Sequence, residues 1–314
     1  MNYASCDGRY GCPLADPGYL VVGGSGFIGR ALQDAVIDGG LGDAITFACN
    51  KHADRLRVGF KVITADLTSP ESARAFQNFN TVIFVAGNSN TQLANTEPWK
   101  DLELNVSLLL NTARHFRGRM VLLSCQTVYQ GLEGEVLENV DHVPTMPFGL
   151  SKSVEETYAR HLWRARYIDK LWIHRLMYAY GKGEADRRLL PMCNWAASNN
   201  GKVHVHGDGK SFMNPLPARF VADVLLASAD ELQDAPRDFI ETTNLNHPTK
   251  LTVSQVVRVL SGARPFDYDI GETAEEWPVK YYGRTERLER YLKKWKMEPP
   301  DAKEALREYF LEMQ

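Results

Sequence analysis

Three glycines, Gly23, Gly26 and Gly29, form a G-x-x-G-x-x-G array within YLVVGGSGFIGRAL. A short apolar run at 19–22 precedes them. Apolar residues at helical spacing then run from Gly29 to Ile37, before Gly39-Gly40 stops the pattern. A glycine turn between a strand and a helix is a phosphate cradle, because backbone N–H groups at the helix N-terminus face an anion. The first glycine allows the tight turn, the second lets a pyrophosphate approach, and the third lets helix and strand pack closely. The N–H groups near Phe27 and Ile28 are the ones placed to meet that anion. The end of the second strand then selects between two nicotinamide cofactors. An acid there binds a ribose 2′-hydroxyl and repels a 2′-phosphate. This chain has Asn50 and Lys51 near that place, with Asp54 further on, which favours NADP(H) over NAD(H). Asp66-Leu67, after the third strand, is a pair suited to an adenine edge.

Other reactive side chains give weaker signals. His204 and His206 in VHVHGD fall on one strand face. A His-x-His pair can ligate zinc, but no carboxylate is placed beside it, so half-exposed strand histidines are the simpler reading and no metal is expected. Ser124 lies beside Cys125 without the strand-to-helix elbow of a nucleophile. The five cysteines are odd in number and scattered, with no CxxC pair, which argues against a zinc knuckle or a disulfide framework. Cys6 and Cys12 stand in an N-terminal tail that has neither a basic n-region nor an apolar h-region. No apolar run of transmembrane length occurs, and a net charge of −3 without a basic arm points to neither membrane nor nucleic acid as a partner. A reducing cytoplasm is the default compartment.

The elements that must hold these residues alternate. Strands are expected at 19–22, 43–50, 60–68, 80–88, 119–129 and 171–181, and helices at 29–37, 71–79, 99–116 and 151–166. This is a series of βαβ units, hence a parallel sheet covered on both faces, with continuous apolar strands rather than alternating ones. After residue 181 the pattern becomes mixed and richer in Pro and Gly. The expected organisation is a flexible tail at 1–18, a dinucleotide domain at 19–181 with core contributions reaching to about 250, and mainly a substrate lobe at 182–314.

Several segments then share an order and spacing: GGSGFIG (23–29), ADL (65–67), VAGN (85–88), Asn105 in LELNVS, LLSCQTVYQG (122–131), PFGLSK (147–152) and RLMYAYG (175–181). VHVHGDGKSF, FVADV (220–224) and ERYLKKWKMEPP follow. Together they resemble the extended short-chain dehydrogenase/reductase family, the nucleotide-sugar epimerases and dehydratases, over residues 19–300. The resemblance implies an α/β fold: a Rossmann-type doubly wound parallel sheet binding NAD(P), with a smaller mixed α/β C-terminal lobe over a nucleoside-diphosphate sugar. Hydride passes between a sugar carbon and the nicotinamide. A tyrosine exchanges the hydroxyl proton, a lysine binds the nicotinamide ribose and lowers the tyrosine pKa, and a Ser or Thr bonds the reacting oxygen. By the same resemblance Ala86, Gly87 and Asn105 meet the cofactor, and Asn88, Tyr178, Arg219 and Arg284 the substrate. The helices at 99–116 and 151–166 are those through which relatives pair, which implies a homodimer.

The chain departs from that pattern at the reacting centre. Lys152 is present, but Phe148 holds the tyrosine position and Cys125 the Ser/Thr position. A phenyl ring passes no proton, and a thiol is a poorer donor than a hydroxyl. Tyr178 stands where the family often has Asn, and the Arg-Asp-Phe before V-x-D is replaced by SFMNPLPARFVAD. Three readings follow: an enzyme with a substitute proton carrier (Tyr178, Thr127, Tyr129 or Cys125), an introduced Tyr-to-Phe substrate trap, or a cofactor-binding sensor or scaffold without catalysis. The enzyme is favoured, as an epimerase or keto-sugar reductase. Dehydratases of the family carry Asp-Glu where this chain has Gln126 and Thr127, so elimination of water has no evident catalyst.

Overall fold

A computed structural model describes residues 18–271 and 277–313. The tail with Cys6 and Cys12 therefore lies outside the described residues. Strand β1 (Tyr19–Val22) is buried throughout. It turns through the glycines into α1 (Phe27–Asp38), which buries Leu32, Ala35 and Val36 and stops at Gly39-Gly40, where Gly40 takes φ +66°. β2 (Ile45–Cys49) is again fully buried. β3 (Lys61–Thr64) is mostly exposed, because it forms the sheet edge. The continuous burial expected of every strand fails there.

The segment expected as a helix at 71–79 is a 3₁₀ helix, Pro70–Asn78. Its two buried residues, Ala73 and Phe76, are three apart, the spacing that a 3₁₀ turn places on one side. β4 (Thr81–Phe84) follows. The long helix expected at 99–116 is segmented: α2 (Thr91–Thr96), α3 (Pro98–Leu102), a π-helical turn at Glu103–Ser107, then α4 (Leu108–His115). β5 (Arg119–Cys125) ends in a 3₁₀ turn, Gln126–Tyr129, where the sequence suggests continued strand. After β6 (Gly134–Val136), α5 (Pro147–Arg164) begins at Pro147 rather than 151, since a proline is well tolerated at a helix start.

The chain continues through β7 (Lys170–Leu176), β8 (Ala179–Tyr180), α6 (Leu189–Asn199), β9 (Lys202–Val205), β10 (Leu216–Pro217) and α7 (Ala218–Asp234). β11 (Ile240–Leu245) and α8 (Val253–Ala263) follow, the latter opened by a capping box of Thr252 and Gln255. The last elements are β12 (Asp267–Ile270), β13 (Tyr281–Gly283), α9 (Glu286–Trp295) and α10 (Ala302–Glu312). Among the described residues no helix is long and apolar enough to cross a membrane.

The main sheet has seven strands in the order β11-β7-β5-β4-β1-β2-β3. All pairs from β3 to β5 are parallel. The order winds outward from β1 in both directions, which makes the fold a Rossmann-type, doubly wound α/β sheet.

Two compact units interleave along the chain instead of dividing near 181. Among the described residues, the first comprises 18–123, 154–173 and 222–241, and the second 124–153, 174–221, 242–271 and 277–313. The first unit is built on Leu20, Val82, Phe84, Leu109, Phe116, Leu122 and Ile173. Each such side chain, fully buried, contributes roughly 1.5–3 kcal/mol. Most of α7 belongs to this unit because its far end is tied there: Lys170 Nζ donates to the carbonyls of Leu232 and Gln233 at 2.8 Å, and Gln233 bonds the Tyr19 hydroxyl. The second unit has its own core, with Tyr180, Leu190, Cys193, Val257, Leu306 and Phe310.

Candidate active site

The glycine turn in the first unit is built by close backbone approach. Gly23 takes φ +99°, and a Cβ there would lie 2.7 Å from Ala86 N, so the turn abuts the 85–88 loop directly. A Cβ on Gly29 would overlap the carbonyls of Gly23 and Gly24. Helix α1 has no side-chain cap from Gly26 and no acid in its first turn. Its N-terminal N–H groups lack intrahelical acceptors and its dipole is not offset by a local carboxylate, which suits a diphosphate.

The loop opposite is held from below. Asn105 is fully buried on the π-helical turn, its Oδ1 accepts from Asn88 N at 3.0 Å, and its Nδ2 donates to Asp101 Oδ1 at 2.9 Å. The same Asp101 oxygen accepts from Asn88 Nδ2 at 2.7 Å. Gly87 sits on Asn105 Oδ1, 2.8 Å from where its Cβ would be. Ala86, Gly87, Asn88 and Asn105 are therefore brought together, but the side chain of Asn88 is engaged within the loop. Asp101 is a member that motif reading missed. The signal was available, since it stands four residues before Asn105 on a helix.

Asn50 and Lys51 follow directly after β2 and are exposed, with no acid at the strand end. Asp54 lies in the next 3₁₀ turn, close enough to help burial raise the Cys49 thiol pKa. Asp66 is exposed. Its Oδ1 accepts from the Thr68 hydroxyl and N–H, and those bonds hold its carboxyl below the usual range. Leu67 is a core residue, and its carbonyl accepts from Asn111 Nδ2 at 2.7 Å, so its side chain serves packing.

The residues expected at the reacting centre lie together in the second unit. Cys125 ends β5, and its Sγ meets Thr127 Oγ1 in the 3₁₀ turn. The first turn of α5 packs on that turn, because a Cβ on Gly149 would collide with the Thr127 carbonyl. Phe148 and Lys152, one helical turn apart on α5, are both buried, at 8% and 4% exposure.

The turn is anchored by a buried polar network. Gln126 donates from Nε2 to Asn246 Oδ1 and accepts from Gly283 N at 3.0 Å. The Tyr129 hydroxyl donates to Asn244 Oδ1 at 2.8 Å and accepts from Arg175 Nη1 at 2.7 Å, with the Arg175 guanidinium 5.0 Å from its ring centroid. Tyr129 is therefore a structural tyrosine. Nothing in the local sequence names Arg175 and Asn244 as partners of Tyr129, or Asn246 as the partner of Gln126, since they are distant in the chain.

Tyr178 is also engaged. Its hydroxyl donates to Glu184 Oε1, and the Arg188 guanidinium lies 3.9 Å from its ring centroid. Burial, first of all, pushes its pKa well above the ordinary tyrosine value. Arg284 pairs with Glu135 at 3.1 Å and Glu286 at 3.6 Å. Arg219 sits half-buried in the first turn of α7. His204 pairs with Asp269 at 2.8 Å across the β9–β12 ladder, and no cluster of three metal-ligating side chains exists among the described residues.

The model of the NAD dependent epimerase/dehydratase family matches residues 19–240. No curated protein matches the chain. A UDP-glucose 4-epimerase from Stenotrophomonas maltophila, with bound NAD and formylated UDP-arabinopyranose, is similar at TM-score 0.80 and 16% identity, covering 94% of this chain and 97% of that one. A UDP-N-acetylglucosamine 4-epimerase from Methanobrevibacter ruminantium, in complex with UDP-N-acetylmuramic acid, is similar at 0.77 and 18%, covering 94% and 97%. The Thermus thermophilus UDP-glucose 4-epimerase complex with NAD gives 0.76 and 18%, covering 94% and 98%. At these identities the likeness is one of fold.

Proposed function

The chain belongs to the NAD dependent epimerase/dehydratase family, and from that premise we propose that it is an NAD(P)-dependent enzyme acting on a nucleotide-linked sugar. It is an epimerase or keto-sugar reductase in which Phe148 holds the proton-transfer position. The observation that carries the reading is the uncapped, acid-free N-terminus of α1 behind a glycine turn that admits no Cβ at Gly23 or Gly29. Similar structures bound to NAD and to UDP-sugars support the two ligand classes.

When bound, the dinucleotide supplies the hydride acceptor and donor. The chain's own residues do the rest. Gly23, Gly26, Gly29 and the first turn of α1 hold the diphosphate, and the 85–88 loop braced by Asn105 borders it. Lys51, with no acid at the end of β2, suits a 2′-phosphate, hence NADP(H). Lys152 binds the nicotinamide ribose. Cys125 and Thr127 hold the reacting oxygen. Tyr129 and Tyr178 have their hydroxyls committed to Asn244 and Glu184, so the Cys125–Thr127 pair is the protic group left to exchange the sugar's proton. Dehydration is disfavoured, because Gln126 is locked in the network and Thr127 is no carboxylic acid.

Phe148 itself favours the second reading, a cofactor-binding sensor or scaffold. The third, a substrate trap made by substitution, fits less well with Cys125, a further departure at the same centre. We also propose a homodimer through the helices at 99–116 and 151–166, where Trp99, Leu102 and Tyr158 are exposed. Its measurement is light scattering across a dilution series, with a monomer at all concentrations as the contrary result.

The test is to denature the purified protein and identify the released small molecules by mass spectrometry. Release of a nicotinamide dinucleotide with a nucleotide sugar supports the proposal and names both. Release of neither, with no binding of added NADPH or NADH, overturns it.

A further inference from the structure

The buried face of α1 carries one polar side chain, Gln33, which is 1% exposed beside Leu32, Ala35 and Val36. A glutamine on the apolar face of a helix is costly unless both ends of its amide are bonded. Here both are. Nε2 donates to the Gly24 carbonyl at 2.9 Å, and Oε1 accepts from Arg57 N at 2.8 Å. One amide therefore joins the glycine turn to the loop between β2 and β3.

The two parts it joins are held differently. The glycine turn is fixed without Gln33. Gly23 N and Gly24 N both donate to the Ala48 carbonyl, at 3.0 and 2.9 Å, and the close backbone contacts at Gly23 and Gly29 leave it no room to shift. The loop has a 3₁₀ turn of its own, Ala53–Arg55, and three ties to α1 and the glycine turn. Leu56 packs on Gly24, with its Cδ2 3.3 Å from where a Cβ would stand. Arg57 pairs with Asp34, but the two side chains are 55% and 39% exposed, and such a pair fixes little. The third tie is the bond from Arg57 N to Gln33, the buried polar anchor of the loop.

That loop carries Lys51, which is exposed and is the residue proposed for a 2′-phosphate. A charge contact depends on where the loop stands. The diphosphate is met instead by backbone N–H groups of α1, which do not move with the loop. Loosening the loop therefore costs the phosphorylated dinucleotide and spares the other.

We propose that Gln33 is a positioning residue for cofactor selectivity. By bonding the Gly24 carbonyl and Arg57 N at once, it sets the 50–57 loop against the phosphate cradle and gives Lys51 its preference for NADP(H). The inference rests on the NADP(H) reading, and Gln33 acts only through the loop.

The test titrates the full chain, Gln33→Met, Lys51→Ala and the double variant with NADPH and with NADH. Gln33→Met binds NADPH about tenfold more weakly, the worth of one buried hydrogen bond, and NADH within about twofold of the parent chain. In the Lys51→Ala background Gln33→Met adds less than about twofold to the loss of NADPH affinity. Without any cofactor, the Arg57 amide hydrogen exchanges about tenfold faster in Gln33→Met, read by NMR. Arg57→Pro removes the same bond from the other side and carries the comparison if Gln33→Met does not fold. Leu56, at φ −85° and ψ 138°, already has the backbone that precedes a proline. Equal losses for the two cofactors, unchanged NADPH affinity, or additive losses with Lys51→Ala overturn the inference and leave the cofactor reading standing. A parent chain that binds NADPH no better than NADH, or binds neither, overturns the NADP(H) reading and the inference with it.

Discussion

The glycine turn of the first unit and the Cys125–Lys152 group of the second are built from different materials. The turn works through backbone: three glycines, an uncapped helix end and a loop braced from beneath by Asn105. The Cys125–Lys152 group works through single side-chain atoms, and in the proposed reading Cys125 and Phe148 stand at the two positions where hydroxyls would act. Losing one oxygen leaves the volume of Phe148 and the packing of α5 almost intact, whereas adding one methyl at Gly29 produces a collision. A backbone-built site resists drift because its changes are steric. A side-chain-built site can lose its chemistry while the fold stays the same.

The largest effect expected from this contrast is at Gly29. Gly29→Val should abolish dinucleotide binding and lower Tm sharply, read by cofactor titration and thermal unfolding, and retention of binding would break the backbone argument. The second unit should show its own vulnerability in acid. His174 is fully buried beside Thr243, and burial lowers its pKa from 6.5 to about 3. The unfolded chain binds that proton more readily between those values. Stability is therefore complete above pH 6.5 and declines by about 1.4 kcal/mol per unit as pH falls toward 3. Urea denaturation across that window should show the slope, and His174→Gln should flatten it.

A smaller effect separates the cofactors. Lys51→Asp should shift preference from NADPH toward NADH by about tenfold, the value of one charge-assisted contact, in paired titrations. An unchanged ratio would place the 2′-group elsewhere. The smallest effect is at Tyr178. Tyr178→Phe should cost about 1 kcal/mol in denaturant unfolding and leave turnover nearly unchanged, because its hydroxyl is already given to Glu184. A large loss of turnover would make Tyr178 the proton carrier instead.

The sequence made the backbone-built region legible. The glycine spacing, the apolar run of β1 and the stop at Gly39-Gly40 are local signals, and the structure has β1, the turn and α1 where they point. Departures arose where tertiary position decided. β3 is exposed because it is an edge, and the strand end at 126–129 becomes a 3₁₀ turn where Gln126 and Tyr129 are held by Asn246, Asn244 and Arg175. Those partners are separated by 46 to 120 residues, and no periodicity or motif links them. Tyr178 illustrates the same limit. Its position in the motif suggested the substrate pocket, but its partner Glu184 becomes visible only when the loop at 181–186 is folded.

The most direct test of the account is turnover of the nucleotide sugar identified by mass spectrometry, measured for the chain as it stands beside Phe148→Tyr. The account predicts slow but measurable hydride transfer in the former. It predicts a gain on the order of 10²–10⁴ in the latter, the usual worth of a positioned general acid. No turnover in either protein would contradict it, and would leave an intact dinucleotide cradle in a chain that binds without reacting.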